Sequence, residues 1–212
     1  MATARALLAL LVAPAAARWC QVENVKADVH GNYSYAGQWR LDGCTTLSLD
    51  HGYCAEADCP WRVKFGDEAI VELADQLHGN SALTALSLSS NKMTDEGAIA
   101  IAEALRNNEV LSDLNFAGNQ IGDQGAFALA EVLEQNAHCT VLNLEYNQLT
   151  DEGGRMLLSV LKSNTSALET LYLGNNKVSA DLVLDAEEAS REAFKPPEGH
   201  GSQAQLPERD EL

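Results

Sequence analysis

The residues best suited to chemistry are cysteines and a histidine in the N-terminal third of the chain. Cys20, Cys44, Cys54 and Cys59 lie there, and His51 stands three positions before Cys54. Thiolate and imidazole groups at such short spacings are typical zinc ligands. In an oxidising compartment the four cysteines would instead form two disulfides, and we favour Cys54–Cys59 with Cys20–Cys44 among the three pairings. We expect disulfides and no bound metal.

Paired acids are the other candidates for catalysis, but their pattern indicates a structural role. An Asp-Glu pair at positions 95–96 recurs at 67–68 and 151–152, with Asp123 in the remaining copy. Acids at helix starts cap free N–H groups and favour the helix dipole. The five histidines are scattered, and no nucleophile, metalloprotease or nucleotide-binding motif accompanies them. We therefore expect a protein that is not an enzyme and that needs no cofactor.

An internal repeat must position whatever site the chain carries. The segment that begins at Leu83 recurs at Leu111, Cys139 and Leu168, at intervals of 28, 28 and 29 residues. Each copy alternates apolar and polar residues, which predicts a short strand. Apolar residues at helical spacing follow, and they predict helices over 67–77, 95–105, 123–133 and 151–161. An asparagine follows each of the four strands, and we expect its amide to bind loop backbone.

The repeated pattern L-x-x-L-x-L-x-x-N-x-L resembles the leucine-rich repeat, and the 28-residue period resembles the ribonuclease-inhibitor type. The resemblance covers residues 44–178. It implies an α/β fold: a right-handed solenoid of about five coils, with a short curved parallel sheet inside and helices outside. The first copy begins at Cys44, 39 residues before the second, so a Cys-containing insert falls at about 51–66. We expect an N-terminal cap over 18–43 and a closing cap helix over 179–195.

Both ends of the sequence resemble targeting signals. Residues 1–17 combine a basic start, an apolar stretch and an A-x-A site, which is typical of a secretory signal peptide. The last residues, Arg209, Asp210, Glu211 and Leu212, resemble the KDEL retention signal with arginine in first place. We expect 196–212 to form a disordered acidic tail that a KDEL-receptor-like retrieval receptor binds. The predicted location is the lumen of the endoplasmic reticulum, with secretion as a minor outcome.

Composition narrows the classes of partner. The chain holds 14 Lys and Arg against 31 Asp and Glu, a formal charge of −17, so we expect no binding to nucleic acid. No apolar stretch reaches the roughly 20 residues that span a membrane, so we expect no membrane insertion. Asn32 and Asn164 begin N-x-S/T sequons, which predicts a glycoprotein in a secretory compartment.

The outward positions of the strands are where the resemblance implies partner binding. The candidate residues are Asp50, Asp113, Asn115, Asn143, Glu145, Tyr146 and Tyr172. Their acids and tyrosines would suit a protein or peptide ligand with a basic segment, although a solvated face would be polar without a partner. We predict a non-enzymatic protein–protein recognition module of the endoplasmic reticulum lumen. The alternatives are a regulatory or scaffolding subunit of an enzyme or folding complex there, and a metal-binding protein that uses the insert.

Overall fold

The computed structural model describes residues 21–22, 25–27, 33–35, 39–41, 44–50, 64–163 and 165–193. Four short strands come first: β1 (Gln21–Val22), β2 (Val25–Ala27), β3 (Tyr33–Tyr35) and β4 (Trp39–Arg40). β1 pairs with β4 and β2 pairs with β3, both antiparallel. They fall in the segment predicted as an N-terminal cap, where the sequence pattern had not indicated strands.

The repeats form one parallel sheet backed by helices. Its strands are β5 (Thr46–Ser48), β6 (Ala85–Ser87), β7 (Asp113–Asn115), β8 (Val141–Asn143) and β9 (Thr170–Tyr172), and they pair in chain order. The helices are α1 (Asp67–Leu77), α2 (Asp95–Leu105), α3 (Asp123–Leu133), α4 (Asp151–Leu161) and α5 (Ala180–Ala193). The first four helices have the predicted bounds, and α5 lies within the predicted cap helix. The predicted α/β leucine-rich-repeat solenoid of five coils is confirmed.

The repeated leucines build a single core between the sheet and the helices. The central residue of every strand of the sheet is no more than 2% exposed, and the buried face of α2 includes Ile101 and Leu105. Full burial of one such side chain stabilises the fold by about 1.5–3 kcal/mol. Cys139 replaces a leucine of the pattern and is fully buried. Burial, with a smaller contribution from Asp113, raises the pKa of its thiol to about 12, so it packs as a neutral apolar group.

The predicted asparagine ladder is present at the end of each repeated strand and links neighbouring coils. Its members are Asn91, Asn119, Asn147 and Asn176. Each Oδ1 accepts a hydrogen bond from a backbone N–H of the preceding coil at 3.0–3.1 Å. Each Nδ2 donates to the carbonyl three residues earlier at 2.9–3.1 Å. The ladder thereby fixes the loops at one edge of the sheet.

A second asparagine ladder at the other end of the strands was not predicted. Asn80, Asn108 and Asn136 each accept hydrogen bonds from the N–H groups two and three residues later, at 2.8–3.0 Å. Asn108 Nδ2 also donates to the carbonyl of Leu77, and Asn136 Nδ2 to that of Leu105, at 3.2 and 3.0 Å. These carbonyls end the preceding helix, where no helical partner is available. β6, β7 and β8 therefore each have a side-chain amide at both ends.

The repeated acids at the helix starts bridge neighbouring coils, which corrects the expectation that each caps its own helix. Asp67 Oδ1 accepts from the N–H groups of Thr94 and Gly97, at 2.8 and 3.0 Å, at the start of the next helix. Asp123 Oδ1 binds the next helix start in the same way. A Cβ on Gly97 would lie 2.7 Å from Asp67 Oδ1, so the glycine leaves room for the carboxylate. Each acid satisfies N–H groups that its neighbour's helix leaves free.

Candidate protein-binding surface

The side of the sheet opposite the helices corresponds to the predicted binding face, and we call it the open face. In every strand of the sheet the residues on either side of the buried leucine are half-buried or exposed. One row across the five strands, paired in register, is Ser48, Ser87, Asn115, Asn143 and Tyr172. A second row is Thr46, Ala85, Asp113, Val141 and Thr170. A third, two residues beyond the first, is Asp50, Ser89, Ala117, Glu145 and Gly174.

Charge on the open face has one sign. Among these fifteen positions three are acidic and none is lysine or arginine. Asp50 is engaged within the fold, because its carboxylate accepts from the hydroxyls of Ser48 and Ser87 and from the N–H of Ser89. Asp113 is exposed and accepts from the hydroxyl of Ser112 at 2.9 Å. Asp50 therefore joins the first two coils, whereas Asp113 remains largely available to solvent.

Two asparagines at the centre of the open face present unused donors. Asn115 Oδ1 accepts from the N–H of Ala117 at 3.1 Å, and Asn143 Oδ1 accepts from the N–H of Glu145 at 2.9 Å. These bonds fix the side-chain amides in equivalent orientations. Neither Nδ2 has an acceptor within the part of the chain that the structure describes. Asn115 and Asn143 are paired in register on adjacent strands, about 4.8 Å apart, so the two donors are available side by side.

Glu145 carries a carboxylate that no described residue neutralises. It accepts no hydrogen bond and forms no ion pair within the described ranges. The carboxylate extends over the next coil, where a Cβ on Gly174 would lie 2.8 Å from Oε1. The glycine thus provides the space in which Glu145 crosses to the neighbouring coil.

Two exposed tyrosines lie on the last two coils, as Glu145 and Gly174 do. Tyr146 follows Glu145 and is 61% exposed, while Tyr172, on the adjacent strand, is 46% exposed. The N–H of Tyr146 donates to the carbonyl of Gly174, and the N–H of Leu144 to that of Tyr172, both at 3.0 Å. The last two coils therefore place both rings at one end of the open face.

The backbone of Tyr146 is strained. Its φ is +55°, and the equivalent residues Ser90, Gly118 and Asn175 have φ of +59°, +68° and +58°. In this left-handed region a side chain other than glycine or asparagine costs about 1–2 kcal/mol. The sequence signal for this conformation was the alignment of Tyr146 with Gly118, which sequence reasoning had missed.

Several predicted sites lie outside the described residues. They are the signal peptide at 1–17, Cys20, Asn32, most of the insert with His51, Cys54 and Cys59, the sequon residue Asn164, and the tail with Arg209, Asp210, Glu211 and Leu212. Cys44 is described and is 2% exposed. Among the described residues no group of three or more His, Cys, Asp or Glu could hold a metal ion. No described helix combines the length and apolar character needed to cross a membrane.

Comparison with known proteins agrees with this architecture. A family model described as Leucine Rich repeat matches residues 79–102, 107–130 and 135–158. No curated protein matches the sequence. Among solved structures, the fold is similar to actin-binding site 2 of leiomodin-1, with a TM-score of 0.56 and 22% identity over 71% of this chain and 80% of that one. An internalin from Listeria monocytogenes matches with a TM-score of 0.36 and 20% identity, over 64% of this chain and 43% of that one. The repeats, the parallel sheet and the matched family model together show an α/β leucine-rich-repeat solenoid fold.

Proposed function

We propose that this chain is a non-enzymatic recognition module that binds a protein or peptide through its open face. Leucine-rich repeats suggest protein–protein interaction. The open face is chosen because polar and aromatic groups at its centre and C-terminal end have no partner among the described residues. Asn115, Asn143 and the exposed Tyr172 are paired in register on three successive strands, both asparagines offer a free amide donor, and the exposed Tyr146 lies on the coil of Asn143. Aromatic side chains with adjacent polar groups are typical hot spots of protein interfaces.

The rigidity of this surface supports the proposal. The two asparagine ladders hold both ends of β6, β7 and β8, so the centre of the open face is preorganised before a partner arrives. A preorganised surface loses little conformational entropy on binding. The likeness to the leiomodin-1 domain concerns the fold alone, at 22% identity, and actin binding is no part of this proposal.

Photo-crosslinking from two sides of one coil tests the choice of face. A photoreactive residue at Ala117 would lie on the open face, whereas one at Gln124 would lie on the exposed side of α3. We expect a discrete adduct from Ala117, none from Gln124, and loss of the adduct when excess unmodified chain competes. Adducts from Gln124 alone, or equal adducts from both positions, would place binding elsewhere.

We also propose that the protein acts in the lumen of the endoplasmic reticulum. The support is the sequence at 1–17 together with the tetrapeptide 209–212. Deletion of 210–212 should release the protein into the medium, because the retrieval receptor would no longer bind the tail. An unchanged amount of intracellular protein after the deletion would contradict the proposed retrieval.

An oxidising lumen implies disulfides for the N-terminal cysteines. We retain Cys54–Cys59 and Cys20–Cys44 as the proposed pairs. Peptide mapping without reduction, combined with elemental analysis of the purified full chain, should find both pairs and no zinc. Four reduced thiols with one zinc per chain would favour the metal-binding alternative.

A further inference from the structure

Tyr146, an exposed tyrosine in a strained turn, indicates where the partner binds. Of the four equivalent turn positions with positive φ, the other three hold small or permissive residues, Ser90, Gly118 and Asn175. The ring of Tyr146 is 61% exposed, and its hydroxyl makes no hydrogen bond within the described residues. All four copies adopt this conformation, so the turn of the repeat requires it, and no polar contact of the Tyr146 side chain within the described residues offsets its cost. A bulky residue in a sparsely populated backbone conformation is characteristic of functional positions.

The surroundings of Tyr146 indicate which chemistry it would recognise. The unpaired carboxylate of Glu145 extends over Gly174, and Tyr172 precedes that glycine by two residues. A free carboxylate with exposed aromatic residues on the same coil and on the next one suits a guanidinium group, which pairs with an acid and stacks on ring faces. A strongly hydrated ammonium gains less from stacking, so arginine is favoured over lysine. The absence of lysine and arginine from the fifteen open-face positions leaves this attraction uncompensated.

We infer that Glu145, Tyr146 and Tyr172 form a subsite for an arginine side chain of the protein partner. Asn143, which pairs in register with Tyr172, supplies its free Nδ2 to a main-chain carbonyl of the same segment. The inference rests on the proposed function, because it assumes that the partner occupies the open face. It goes further by naming the side chain that the partner contributes.

A pair of synthetic peptides tests the subsite on the full chain. The first is a fluorescein-labelled heptapeptide of threonine and glycine with two arginines, and the second carries citrulline in place of both arginines. Citrulline keeps the planar shape and removes the charge. Fluorescence anisotropy should show that the arginine peptide binds about tenfold or more tightly than the citrulline peptide. Equal affinities, or no binding of the arginine peptide at millimolar concentration, would overturn the inference.

Matched charge variants separate a local subsite from the general acidity of the chain. Glu145→Gln should weaken the arginine peptide about tenfold. Asp113→Asn removes the same charge from the same face, but it lies in register with Val141, four residues before Glu145. It should weaken binding less than about threefold, an effect that salt screens. Equal losses in the two variants would contradict the subsite, while the crosslink from Ala117 would still stand as a separate test of the open face.

The substitution Tyr146→Gly separates a role of the ring in binding from a role in the fold. Tyr146→Gly relieves the backbone strain and removes the ring, so it should raise Tm and weaken the arginine peptide. Tyr146→Phe keeps the ring and should leave both quantities near the wild-type values. A lower Tm in Tyr146→Gly would show that the ring supports the fold, and unchanged peptide affinity would remove it from the subsite. Either result would overturn the assignment of Tyr146.

Discussion

Replacement of Asn119 by alanine tests whether the asparagine ladder holds the coils together. Asn119 is 7% exposed, and its Oδ1 accepts from the N–H of Met93, a fully buried residue, at 3.1 Å. Its Nδ2 donates to the carbonyls of Leu88 and Phe116, both at 2.9 Å. The substitution removes all these bonds and leaves a small void at the turn.

The loss in free energy of unfolding depends on which buried groups are left without a hydrogen-bond partner. The carbonyls of Leu88 and Phe116 also accept from the neighbouring ladder members Asn91 and Asn147, at 2.9 and 3.0 Å. They therefore keep a partner, and the main loss is the N–H of Met93, which remains buried without an acceptor. An unsatisfied buried donor costs about 1–3 kcal/mol, and the two bonds lost by carbonyls that keep a partner add about 0.5 kcal/mol each. We expect the free energy of unfolding to fall by about 2–4 kcal/mol.

The last ladder member provides the matched control. Asn176 is half-buried and accepts from the N–H of Leu149 at 3.1 Å, but no ladder asparagine of the described residues follows it. Leu149 is as buried as Met93, so its N–H also loses its acceptor, but water can reach the half-buried position 176 and replace the other bonds. Asn176→Ala should therefore cost less than Asn119→Ala, about 1–3 kcal/mol. Urea unfolding followed by circular dichroism measures both variants, provided that their m-values agree with the wild type. The ladder would not hold the coils together as described if Asn119→Ala cost less than about 1 kcal/mol, or if Asn176→Ala cost as much as Asn119→Ala.

Three further predictions concern the contacts between neighbouring helices. Partial burial raises the pKa of Asp123, but hydrogen bonds from Thr150 and Gly153 outweigh it and lower that pKa below 3.8. The stability that Asp123 contributes is therefore complete above the ordinary pKa of an aspartate and is lost as the pH falls through the lowered pKa. In acid unfolding, Asp123→Asn should lose stability less steeply than the wild type in this pH range. An identical pH profile would contradict this role of Asp123. Gly125→Ala should lower the free energy of unfolding, measured in urea, by about 1–3 kcal/mol, because a Cβ would lie 2.9 Å from Asp95 Oδ1. If the variant were instead more stable by the roughly 1 kcal/mol that the helix propensity of alanine offers, no close contact would exist. Arg106→Ala should shift the urea midpoint less than Asp123→Asn, since its ion pairs with Glu103 of α2 and Glu131 of α3 are exposed. A larger shift for Arg106→Ala would contradict this order.

Repetition explains why so much of the fold could be predicted from the sequence. One ambiguous strand or helix has uncertain ends, but four registered copies with leucines at the same positions define the bounds of α1 to α4. The same repetition showed the first asparagine ladder. The second ladder has an equally clear 28-residue spacing from Asn80 to Asn108 and Asn136. It was missed because these residues fall between the two predicted elements, where polar residues are expected without any specific contact.

The contacts between coils were harder to predict than the elements. Asp67 looks like a cap of its own helix, because the sequence shows only the helix that contains it. The preference for the next helix depends on the space left by Gly97. In the same way, the seven candidate residues were chosen by strand position and residue type, without knowledge of their contacts. The structure separates Asp50, whose carboxylate is engaged by serines, from Glu145, whose carboxylate has no described partner.

Hydroxyl-radical labelling shows directly whether the partner covers the open face. The sample is the complex with the protein that crosslinks to Ala117. Tyr146 and Tyr172 on the open face and Met156 on α4 are 61%, 46% and 47% exposed, so all three should react in the free chain. If the open face binds the partner, labelling of both tyrosines should fall in the complex while labelling of Met156 stays unchanged. Protection of Met156 with undiminished labelling of the tyrosines would place the partner on the helices and contradict binding through the open face.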